Sequence, residues 1–273
     1  MSEGGQSGAG PIFEGHILTL FPDFFTSPLS ASILGRALAR GEVRVQAHDI
    51  RAFASGKHRV TDDTPYGGGA GMVMKAGPIV RCLEAVEEGC LERGGARPHR
   101  IVLTPGGARF DQRAARRLAS LPAISVVCGR YEGIDERVMA HVDEEISVGD
   151  FVLTGGEPAA LAVLDAVIRL LPGVLGNAAS AEDESFGQGL LEYPQFTRPA
   201  IFREVAVPEI LLSGDHARVD RWRRGQALLR TSLRRPELLA DLELTKDDRR
   251  LLEQARQEAI ERSGTPAPAQ EDP

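Results

Sequence analysis

The chain has 273 residues, 42% of them hydrophobic, and a net charge of −7, enough for one large domain or two modest ones around a true core. No run of 18 apolar residues occurs and the opening MSEGGQSGAGPIFE is glycine-rich and acidic rather than basic and then apolar, which argues against a membrane span or a secretory leader and for a soluble cytoplasmic protein. Cys82, Cys90 and Cys128 form no C-x-x-C pair, so neither a disulfide framework nor a zinc site is expected.

Residues 1–14 read as a disordered tail. Beyond them, strand-like runs fall at 16–20, 43–50, 100–103 and 124–128, with helical stretches at 28–40, 75–92 and 112–120 between them. Strands alternating with helices predict an α/β domain over 15–175, built on a parallel sheet covered on both faces. The segment 57–74, KHRVTDDTPYGGGAGMVM, holds more glycine than a connector needs. In it His58 and Arg59 are candidate phosphate contacts, while Asp62 and Asp63 suit orienting a base or holding a hydrated metal ion.

The short β-branched runs at 100–103 and 124–128 suit buried central strands. Each ends in a glycine turn, Thr104-Pro105-Gly106-Gly107 and Gly129-Arg130-Tyr131-Glu132-Gly133, and a third turn covers 149–157. Ligands of open parallel sheets sit beyond the strand C-termini, and glycine lets a ligand approach backbone closely. These turns match neither G-x-G-x-x-G nor G-x-x-x-x-G-K-[ST], so a nicotinamide dinucleotide or a P-loop phosphate is disfavoured. No G-x-S-x-G elbow is present, and His48, His99 and His141 lack Cys or carboxylate partners at ligand spacing. No metal ligand is assigned.

The stretch PAALAVLDAVIRLL is apolar at helical spacing and stops at Pro172-Gly173. Residues 176–188, GNAASAEDESFGQ, read as a flexible linker, 189–262 as a small helical domain and 263–273 as a disordered tail. Between Arg198 and Arg235 stand nine arginines and four acids, a local positive patch inside an acidic chain. The absence of lysine there favours bidentate phosphate contact over a merely solvated surface.

With these segments laid out, the chain closely resembles the bacterial tRNA (guanine-N1)-methyltransferase family, TrmD. LFPDFF, DDTPYGGGAGMVM, CGRYEGIDERV, SVGDFVLTGGE, PGVLG, GLLEYPQFTRP, LLSGDHA and LRRPELL occur in that family's order across nearly the whole chain between its tails. The resemblance implies a SPOUT-type α/β sheet with a deep trefoil knot, plus a small C-terminal helical domain. It implies transfer of a methyl group from S-adenosylmethionine to N1 of the guanosine 3′ to the anticodon, tRNA position 37, by a homodimer that pairs one subunit's cofactor pocket with the other's helical domain. The donor site would take in Leu103, Pro105, Gly107, Gly129, Tyr131, Glu132, Gly133, Val148, Gly149, Asp150, Phe151, Val152, Leu153, Gly155 and Gly156.

The family's base is an aspartate directly before Ser-Phe, assisted by an arginine from the helix before PGVLG. The arginine maps to Arg169. Here the residue before Ser185-Phe186 is Glu184, with Asp183 one earlier, so the base is Glu184 or, if the segment shifts by one, Asp183. The same mapping gives Asp62 and Tyr66, with Arg218, Arg221, Arg223 and Arg224, as contacts to a tRNA anticodon stem-loop. The family is also described as using Mg2+, to which no residue cluster in this sequence points.

Overall fold

A computed structural model describes residues 11–175 and 184–263, in a chain that divides into two compact units, Met1–Gly176 and Asn177–Pro273. The first is built on strands β1 (Phe13–Thr19) and β2 (Val43–Asp49), a two-residue pair β3 (Asp62–Asp63) and β4 (Val73–Met74), then β5 (His99–Arg109), β6 (Ala123–Cys128) and β7 (Glu144–Ser147). The five long strands form one parallel sheet in the order β2-β1-β6-β5-β7. β1 opens at Phe13, so Phe13 and Glu14 are strand and not tail.

Every residue of β1 and β6 is buried, as central strands of a sheet covered on both faces must be. One core joins Ile17, Ile101, Ile124 and Val126 to Val163, Leu164 and Val167 of helix α5 (Glu157–Ile168). The opposite face packs Leu18, Val102 and Val127 against helix α3 (Ala76–Glu92), which presents Ile79, Cys82, Leu83, Val86 and Cys90 at the three-to-four-residue spacing of one helix face. Each such aliphatic side chain contributes about 1.5–3 kcal/mol on burial. Helix α4 (Gln112–Ala119) starts where the Asp111 carboxylate accepts a hydrogen bond from Ala114 N.

Two sequence expectations need correction. The stretch 28–40 is not one helix: α1 (Thr26–Ser30) and α2 (Ser32–Ala39) are separated by an extended Ala31. Strand β7 (Glu144–Ser147) is absent from the strand-like runs read in the sequence. Its two glutamates hide a strand signal, and Glu144 meets His99 at 3.1 Å and Arg117 at 2.6 Å, which lets a charged strand lie at the sheet edge.

Within the second unit a short hairpin, β8 (Ile201–Phe202) and β9 (Val205–Ala206), precedes helices α6 (His216–Arg234), α7 (Pro236–Ala240) and α8 (Lys246–Ser263). Leu190, Leu228, Leu251, Leu252 and Ala255 form its core. The Asp215 carboxylate caps α6 by accepting from Arg218 N. Of the expected linker, residues 184–188 form a turn in which Phe186 N donates to Leu190 O at 2.7 Å; Asp183 and the rest lie outside the described residues.

Candidate active site

The C-terminal ends of β5, β6 and β7 surround a cavity of about 480 Å³. Three turns make it. After Leu103 the pairing of β5 with β7 is interrupted until Ala108, so residues 104–107 leave the ladder. Gly107 there passes so close to β7 that a Cβ would stand 2.5 Å from Glu145 C and Ile146 N, which only glycine avoids. The turn after β6 carries Tyr131 at φ 60 and Gly133 at φ 136. It is stitched to the glycine-rich segment by Glu132 N to Met72 O at 3.0 Å and Met74 N to Gly133 O at 2.9 Å. The third turn begins at Gly149, whose N donates to Ser147 Oγ at 3.2 Å, and closes at Gly156, whose N donates to Gly129 O at 2.9 Å. A Cβ on Gly156 would come within 2.8 Å of Cys128 Cα.

Leu103, Pro105, Gly129, Tyr131, Glu132, Gly133, Val148, Gly149, Phe151, Val152, Leu153, Gly155 and Gly156 all line the cavity, whereas Gly107 and Asp150 do not. Gly107 shapes the wall through its backbone contact, and Asp150 is exposed. Thr104, Arg130 and Thr154, which fall within the three turns, line the cavity too, as do Ile134, Glu136, Met139 and Glu145, which lie outside the turns read from the sequence. For Glu145 the signal is β7 itself, and Arg130 stands inside the second glycine turn. Tyr131, Phe151, Val152 and Leu153 expose 53, 55, 87 and 40% of their surface, an apolar rim of the kind that marks a ligand site. Three carboxylates, Glu132, Glu136 and Glu145, and one guanidinium, Arg130, are its charged groups.

Arg130 belongs to an ion pair whose other member lies behind the cavity wall. Arg130 Nη2 is 2.9 Å from Glu157 Oε2, and Glu157 is wholly buried. Burial, then the Glu157 charge, pushes the neighbouring Cys128 thiol well up, so it is no nucleophile. Asp135, just past the second turn, is held down to about 2 by its hydrogen bonds with Arg137.

The other expected site residues divide between the units. Arg169 is half-buried at the end of α5, with its N–H on Asp165 O, and does not line the cavity. In the glycine-rich segment Asp62 pairs with Met74 across β3 and β4, His58 and Arg59 are exposed, and Tyr66 is fully so. In the second unit Glu184 lines a hollow of about 300 Å³ with Tyr193, Arg223 and Arg224. Arg224 is engaged in the fold, donating to Asp248 at 2.8 Å and Gln188 at 3.1 Å. Arg218 and Arg221 instead line an open hollow of about 700 Å³ beside Trp222, and Arg221 is only 3.9 Å from Asp247.

Histidines have more partners than their spacing suggested. His99 meets Glu144, and His16 Nδ1 meets His48 Nε2 at 3.0 Å. Among the described residues one group offers three metal-ligand atoms, Glu14, His16 and Cys90, within 4.8 Å of one another. Arg93 donates to Glu14 at 2.9 Å and to Cys90 at 3.5 Å, and Arg44 approaches Glu14 at 3.6 Å, so the carboxylate charge is already matched. Burial first, then His48, lowers His16 to about 4.

A family model described as tRNA (Guanine-1)-methyltransferase TrmD matches residues 14–241. Curated relatives with the name tRNA (guanine-N(1)-)-methyltransferase include one from Geobacter sulfurreducens, 55% identical over 92% of this chain and 98% of its own. Another, from Myxococcus xanthus, is 55% identical over 91% and 99%. A third, from an Anaeromyxobacter strain, is 58% identical over 87% and 95%.

Proposed function

Because the chain belongs to the tRNA (guanine-1)-methyltransferase family TrmD, we propose that it transfers a methyl group from S-adenosylmethionine to N1 of the guanosine at tRNA position 37, acting as a homodimer. The observation that carries this reading is the cavity at the strand ends. Its three turns offer backbone groups to the adenine and methionine parts of the donor, and its acids suit the donor's cationic sulfonium and amino groups. A trefoil knot passing through these turns is part of the same proposal.

Bound there, the donor supplies an electrophilic methyl group. Guanine N1 carries a proton and is a poor nucleophile, so a carboxylate must take that proton as the N–C bond forms and the S–C bond breaks. Glu184 is assigned this role, with Asp183 as the alternative, and Arg169 stabilises the negative charge that develops on the purine. A carboxylate one methylene longer than aspartate reaches about 1.5 Å further, which changes where it meets N1. The guanine leaves its stack to reach the site. Arg218 and Arg221 hold tRNA phosphates, with His58, Arg59, Asp62 and Tyr66 meeting the RNA.

Magnesium has no step in this mechanism. The Glu14, His16 and Cys90 group carries nitrogen and sulfur donors, whereas Mg2+ takes an octahedral shell of oxygens.

The test is to incubate unmodified tRNA with the protein and labelled S-adenosylmethionine, then map the methylated nucleoside. Label in 1-methylguanosine at position 37 supports the reading. Label on a ribose 2′-oxygen or another base, or no transfer, refutes it.

A further inference from the structure

Arg130 is separated from β6 only by Gly129 and lines the cavity. Its Nη1 donates to Thr154 O at 3.1 Å, and its guanidinium lies 4.4 Å from the centre of the Phe21 ring. Its Nη2 faces the buried Glu157 at 2.9 Å. Glu157 sits in the first turn of α5, where the helix N-terminus favours a carboxylate. The other Glu157 oxygen accepts from Thr19 Oγ1 at 2.7 Å, and that hydroxyl in turn accepts from Phe21 N at 2.9 Å. Gly155 crosses so near that a Cβ would fall 2.2 Å from Arg130 Nε. One side chain therefore ties the end of β1, the turn after β6 and the turn at 154–156 to the start of α5.

Stability alone does not account for this arrangement. Removing two charges from water is costly, and a well-packed apolar pair of similar volume often serves a fold equally well. Arg130 Nε is moreover buried without a hydrogen-bond partner, while Glu157 Oε2 is met by Arg130 Nη2 at 2.9 Å, so the guanidinium is incompletely satisfied. What a guanidinium adds is a planar fork that fixes several partners at defined angles. Of those partners Thr154 lines the cavity, and Glu157 opens the helix that follows its third turn.

We propose that Arg130, clamped by Glu157, is a positioning residue that sets the spacing of the turns on which the methyl donor rests. The inference rests on the function proposed above, and the test separates the two. S-adenosylmethionine is titrated calorimetrically into the full-length wild type, Arg130→Met, Arg130→Lys and the double variant Arg130→Met with Glu157→Gln, and each protein is also melted. Arg130→Met should lose donor affinity by about tenfold or more, since small misplacements at such a site are costly, and should melt lower because Glu157 is left unpaired. The double variant should regain melting temperature but not affinity, and Arg130→Lys should recover only part of the affinity. A double variant that binds the donor like the wild type, or affinity that returns in step with melting temperature, would overturn the proposal by making the pair a matter of fold stability. A wild type that takes up no donor would instead remove the functional reading and this inference with it.

Discussion

At the sheet ends of the first unit the turns around the cavity are fixed by glycines that lie against other backbone, as Gly107 does against Glu145 and Ile146. On α6 of the second unit the candidate contacts are long arginine side chains, with Arg221 exposed and Arg224 held by Asp248. The two surfaces must therefore fail differently. A wall made of close-packed backbone has no room to adjust, and damage to it is damage to the fold. An exposed cationic face can lose members singly, at a modest and salt-dependent cost.

The largest expected effect is on the backbone wall. Gly107→Val places a branched side chain where even a Cβ meets carbonyl carbon and amide nitrogen at 2.5 Å, and overpacking of this kind should cost about 3 kcal/mol. Thermal melting checks it; an unchanged melting temperature would mean that β5 and β7 are not so tightly joined.

Acid should separate the units. His16, in the first unit, has its pKa lowered from 6.5 to about 4, principally by burial. Because the folded value lies below the unfolded one, this contribution is fully present above about pH 6.5 and is lost as pH falls toward 4, a loss of about 3 kcal/mol at full protonation. Asp248, in the second unit, is lowered by its hydrogen bond with Arg224, so its contribution persists above the ordinary carboxylate range and fades only below it. Between pH 6.5 and 4 the first unit should lose amide-exchange protection before the second, and His16→Gln should flatten that difference. Equal loss in both units would break the comparison.

Chemistry should follow the carboxylate next to Ser185. Glu184→Gln is expected to lower the single-turnover rate by about 100-fold with donor affinity unchanged. Full rate in Glu184→Gln together with loss in Asp183→Asn would transfer the role to Asp183.

The smallest effects belong to the arginine helix. Arg218→Gln with Arg221→Gln should weaken tRNA binding and reduce its salt slope by about 1.4–1.8, close to one released counterion per lost phosphate contact. Arg224→Gln should instead lower stability by about 2 kcal/mol through loss of a charged hydrogen bond to Asp248. An unaltered salt slope in the first variant would show that face to be ordinary solvated surface.

How much of this was legible in the sequence follows from which signals are local. The core strands β1, β2, β5 and β6 and the helices α3, α4 and α5 announce themselves by apolar runs and periodicity, and the glycine turns by composition. Strand β7 did not, because Glu144 gains its partners, His99 and Arg117, only from distant segments. Phe13 and Glu14 were lost to the tail because a buried glutamate within a strand makes sense only once Arg93 and Arg44 reach it. Most residues assigned to the donor site by resemblance line one cavity, yet Arg130 and Glu157, 27 positions apart, form a pair that no spacing rule brings together. The division of the arginines between surface and fold was equally hidden, since Arg221 and Arg224 lie one turn apart on α6 and differ only in their contacts, Arg221 standing 3.9 Å from Asp247 and Arg224 bonding Asp248 and Gln188.

The most direct measurement is a structure of the protein with S-adenosylmethionine and a tRNA anticodon stem-loop. The donor is expected in the cavity bounded by Leu103, Gly129 and Val148, with the carboxylate of Glu184 or Asp183 at guanine N1. A donor bound elsewhere, or both carboxylates remote from the base, would contradict it.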